Sequence, residues 1–168
     1  MSDALGRLIV ASFSGVLSYA ACFVLEPAGT RWGAGVVFGL LVLGPSQRRG
    51  ARFGGLAVLS TAVYRAAVWS AQQLHTENGV PAAAACALAG AAGAALLALG
   101  SAALIQRPAD IRATGFGAAL GAAGGALIGV ALEMPDGSFA LHGLLLGGFV
   151  VWQVGYAAAH RLPSWSRA

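Results

Sequence analysis

Lysine is absent from this sequence; all ten basic residues are arginine. Acidic residues number six, and charged residues make up only 10% of the chain, where a soluble domain carries roughly 25%. So little polar surface cannot cover a globule in water. No dense run of basic residues is present either, which argues against binding along a nucleic-acid backbone. The two cysteines, Cys22 and Cys86, form no CxxC pair. GxxxxGK[ST], HExxH and GxSxG are all missing. No apolar segment holds the paired aspartates that a metal-dependent lipid transferase requires. No catalytic residue, cofactor or metal site is therefore assigned, and an enzymatic role is not favoured.

What is present is apolar. Hydrophobic residues make up 58% of 168 positions, and mean hydropathy is +0.75. A membrane-crossing helix needs about 20 mostly apolar residues. Six segments approach that pattern, at about 8–25, 32–44, 53–74, 80–105, 114–132 and 138–159. The second has the shortest uninterrupted apolar core. The expected fold is an all-α integral membrane bundle of six transmembrane helices. It forms a single domain over 1–168, as three helical hairpins at about 1–50, 51–110 and 111–168.

Loop charges set an orientation, because arginine concentrates on the cytoplasmic side. Arg7, then Arg48, Arg49 and Arg52, then Arg107 and Arg112, then Arg161 and Arg167 fall at alternate ends of the segments. The opposite connections hold only Arg31, with Glu26, Glu77, Glu133 and Asp136. This pattern predicts both termini in the cytoplasm, and the composition suggests a bacterial inner membrane. Proline follows the helices at the arginine-rich ends (Pro45, Pro108, Pro163). Turn residues such as Asn78-Gly79 join them at the other ends.

The first and last hairpins resemble each other. The stretch 25–30 matches 132–138 with one insertion, and Ser14, Ser18 and Cys22 then fall on Gly121, Gly125 and Gly129. Downstream, Gly35 and Gly39 fall on Gly143 and Gly147. Both hairpins start on the same side, so the expected repeat is parallel; chance similarity in an Ala/Gly-rich chain is the alternative. Gly117, Gly121, Gly125 and Gly129 stand four residues apart, which lets two backbones approach closely. That stripe suits internal packing, a sliding interface or a homo-oligomer face.

Arg65 falls near the middle of the third segment. A central arginine costs about 2.5–3.5 kcal/mol on insertion scales, so it is expected to face the interior and find a partner. One reading is an outward-facing anion site comprising Arg65, Tyr64 and Gln72; the other is a structural ion pair with Glu26, Glu77 or Glu133. Glu26 and Glu133 alternatively form an acidic vestibule or are solvated turn residues. His142, one turn inside the sixth segment, suits a proton relay, a metal ligand or a haem ligand, and Glu133 across the hairpin is a partner for a proton-linked pair. Cys22 and Cys86 share a depth, which allows a thiol redox pair or two small packing residues.

Three functions remain open: a small-solute transporter, channel or substrate-binding subunit around Arg65; a non-catalytic subunit or scaffold of a larger membrane complex; and a thiol redox enzyme. The expected partners are the lipid bilayer, a small solute, and further membrane proteins or copies of the chain through the small-residue faces, with no nucleic acid.

Overall fold

The computed structural model describes residues 3–22, 33–43, 51–106, 108–136 and 138–160. Among these there are six helices and no strand. They are α1 (Asp3–Ala20), α2 (Gly33–Phe38), α3 (Ala51–Thr76), α4 (Ala82–Leu104), α5 (Ile111–Leu132) and α6 (Phe139–His160). α2 runs directly into a π-helical turn at Gly39–Leu43, so the weakest segment of the sequence is also the least regular helix.

The helix ends follow local chemistry. The Asp110 carboxylate accepts from the amides of Arg112 (2.9 Å) and Ala113 (3.1 Å), capping α5, and the Ser138 hydroxyl accepts from Leu141 N at the start of α6. Each satisfies a donor that the first helical turn leaves without a partner. α4 begins after Pro81, which has no side-chain acceptor. The α3–α4 turn requires Gly79 at φ +65°, a left-handed conformation that costs glycine little.

α4, α5 and α6 are long and apolar enough to cross a membrane. α1 has a shorter apolar stretch, Leu5–Ala20, and the α2 segment runs Gly33–Val42. α3 has the length at 26 residues, but Arg52, Arg65, two glutamines and His75 dilute its apolar character.

Around the bundle, the helices follow chain order. α1 packs on α2, α2 on α3, α3 on α4, α4 on α5 and α5 on α6, and α6 returns to α1 to close the ring. Glycine sets the closest contacts. A Cβ at Gly90 would overlap the Gly121 carbonyl oxygen, and one at Gly121 the Gly90 oxygen. Likewise a Cβ at Gly125 would overlap the Cys86 oxygen, and one at Gly129 the Ala82 oxygen. The α5 stripe thus lies against the backbone of α4. On the α5–α6 side, Cβ atoms at Gly124 and Gly148 would lie 2.6 Å from the Gly148 oxygen and 2.7 Å from the Gly124 oxygen. Backbones that approach this closely gain many dispersion contacts, which hold the helices together.

The interior at one end of the ring is aromatic. Phe38 stacks on Trp152 at 5.3 Å between ring centroids and meets Tyr156 edge-on at 5.3 Å. A buried polar chain crosses three helices: Gln153 Nε2 donates to Ser18 Oγ at 2.7 Å, and Ser18 Oγ donates to the Ala34 carbonyl at 3.4 Å.

Candidate functional site

A cavity of about 190 Å³ lies between α3, α4, α5 and α6 and reaches Cys22 at the end of α1. Small residues create it. Ala67 and Ala71 on α3, Ala89 and Gly93 on α4, and Gly121 and Gly125 on α5 all line it. Four helices that meet through such short side chains cannot fill the space between them. Tyr64, Phe149 and Trp152 form an aromatic wall; Tyr64 lies 6.3 Å from Trp152 and 6.4 Å from Phe149, between ring centroids. The exposed residues Gln72, His75 and Thr76 mark the mouth, at the C-terminal end of α3.

α3 contributes positions 63, 64, 67, 68, 71, 72, 75 and 76 to this wall, a three-and-four spacing that defines one helix face. Arg65 is not among them. At about 100° of rotation per residue, it shares the phase of Gln72 and Thr76 to within about 20°, at the edge of that face, but lies about two turns earlier along α3 than Gln72. It is exposed, beside exposed Ala62, Ala66 and Trp69. Of the three residues grouped on α3 from the sequence, the structure therefore brings Tyr64 and Gln72 to the cavity and leaves Arg65 exposed outside its lining.

Glu133 is also absent from the wall. Its Oε1 accepts from Ala82 N at 3.3 Å and supplies the acceptor that Pro81 lacks at the start of α4. It pins the C-terminal end of α5 to the N-terminal end of α4 and counters the partial positive charge there. Glu26 lies outside the described residues. His142 faces Tyr19 rather than Glu133. The Tyr19 hydroxyl is 2.7 Å from His142 Nδ1, donating to it when the ring proton is on Nε2, and the two rings meet edge-on at 6.2 Å. The pair ties α1 to α6 on the exposed rim.

Both cysteines line the cavity. Neither is in a disulfide, and Cys22 Sγ lies 3.4 Å from the Tyr64 hydroxyl. Among the described residues, no three of His, Cys, Asp and Glu are gathered to hold a metal ion.

The glycines divide by environment. Gly117 approaches His160; a Cβ there would lie 3.3 Å from Nε2. Gly35 and Gly39 lie against α3, where their Cβ atoms would come within 2.7 Å of Thr61 Cα and 2.6 Å of Ala57 Cα. A Cβ at Gly143 or Gly147 would meet nothing within 4 Å. The two glycine pairs that match in sequence are therefore packed differently, and α6 makes its close approach through Gly148 and Gly155 instead.

Sequence reasoning did not single out Phe149 and Trp152 for the wall. Trp152 carried a signal, because an indole N–H within an apolar helix needs an acceptor or a reason to lack one. Gln153, one residue on, does not line the cavity and is committed to the Ser18 bond.

Comparison with protein families, with curated proteins and with solved structures finds no match to this chain.

Proposed function

We propose that this chain is a polytopic membrane protein that binds a small solute between α3 and α6, as a transporter, channel or substrate-binding membrane subunit. In this reading all six helices cross or enter the bilayer as one domain of three hairpins, with both termini cytoplasmic. The cavity mouth then faces the outer side of a bacterial inner membrane. The single observation that carries the reading is the cavity. A subunit whose only task is packing has no use for a 190 Å³ space bounded by four helices, since a void forfeits the dispersion contacts that hold a membrane bundle together. Arg65 plays no part in the binding wall, and the sequence likeness of the first and last hairpins is not needed for it.

Native mass spectrometry of the protein extracted in mild detergent from its own host tests this. A bound small molecule is expected, lost in Ala67→Leu and Ala89→Leu, which fill the cavity from α3 and α4. A stoichiometric protein partner with no small ligand would replace this reading with that of a non-catalytic subunit. Gly143 and Gly147 favour that second reading, because they leave part of α6 open to close approach.

A further inference from the structure

We infer that the cavity selects an uncharged, largely apolar molecule about the size of one aromatic ring. This rests on the solute-binding reading above and specifies its ligand. Size comes from the volume: an apolar cavity of about 150 Å³ holds benzene, and this one measures about 190 Å³.

Charge is decided by the wall. Among the described residues, no Asp, Glu or Arg lines it. His75 stands at the exposed mouth, where Nδ1 donates to the Val80 carbonyl at 2.9 Å. The nearby α4 amide of Ala82 already faces the Glu133 carboxylate, and Arg65 lies off the wall. An ion entering this space would lose its hydration and gain no counter-charge, which opposes its binding.

Polarity follows from the same lining. Tyr64, Phe149 and Trp152 present aromatic carbon to the space beside alanine and glycine, a surface that favours an apolar or aromatic group. The Trp152 indole N–H has no acceptor among the described residues, but protein encloses it and keeps it out of a ligand's reach.

The test is thermal unfolding of the protein in lipid nanodiscs with three one-ring probes: ethylbenzene (neutral), benzoate and benzylammonium. Ala67→Leu and Ala89→Leu serve as controls for partitioning into lipid. Ethylbenzene at roughly tenfold its Kd is expected to raise the Tm of the unaltered protein by about 3–6 °C. It is expected to leave the filled variants unmoved, as are both ions in every case. If benzoate or benzylammonium shifts the Tm and ethylbenzene does not, the neutral-ligand inference is overturned while solute binding stands. If no probe acts and native spectra also carry no small molecule, both fall.

Discussion

Ser18 occupies no exposed surface and takes part in two hydrogen bonds, accepting from Gln153 of α6 and donating to Ala34 of α2. Its removal leaves the Gln153 amide buried beside a methyl group, and the Gln153 Oε1 already has no partner among the described residues. Ser18→Ala is therefore expected to cost about 1–2 kcal/mol, measured by reversible unfolding in mixed micelles. Ser12→Ala is the matched control. The Ser12 hydroxyl donates only to Leu8 O of its own helix, so its loss is expected to be nearly neutral. Nothing in the sequence ranks these two serines, which sit six residues apart in the same helix. Their difference is one of helical phase and of which neighbour lies opposite.

At the scale of the element, the α4–α5 contact depends on having no side chain. Gly125→Ala places a methyl group against the Cys86 carbonyl, and neither backbone is free to yield. A loss of about 1–3 kcal/mol is expected, as for other overpacked cores. Gly147→Ala meets nothing within 4 Å and is expected to leave the unfolding transition unchanged or slightly raised, since alanine favours helix. Comparing both variants in one unfolding assay checks the assignment of packing faces. The four-residue spacing from Gly117 to Gly129 made the α5 stripe legible in the sequence. Its partner was not legible, because α4, α6 and a second copy of the chain are equally good surfaces for such a stripe. Gly143 and Gly147 show the reverse limit, since the same spacing on α6 falls on a face that makes no close approach.

For the whole molecule, the order of the ring and its orientation are separate questions. Closure of α6 on α1 fixes how the helices neighbour one another, while the arginine distribution is the basis for the proposed orientation. With Cys22 and Cys86 replaced by alanine, Asn78→Cys and Asp136→Cys are expected to react with an impermeant maleimide in intact cells. Ala109→Cys is expected to react only after permeabilisation. Labelling of Ala109→Cys alone in intact cells would invert the proposed orientation, and labelling of all three would break the alternation.

The apolar composition and the run lengths of α4, α5 and α6 were determined by the sequence, because hydropathy and length are sums along the chain. So were the Asp110 and Ser138 caps, which act within three residues of themselves. Tertiary structure alone decided the cavity. A void belongs to no residue; it arises where the alanines and glycines of four helices face one another. It also decided the place of Arg65, which shares the helical phase of Gln72 yet lies two turns before it and outside the lining, and the use of Glu133, which caps a helix that begins 51 residues before it.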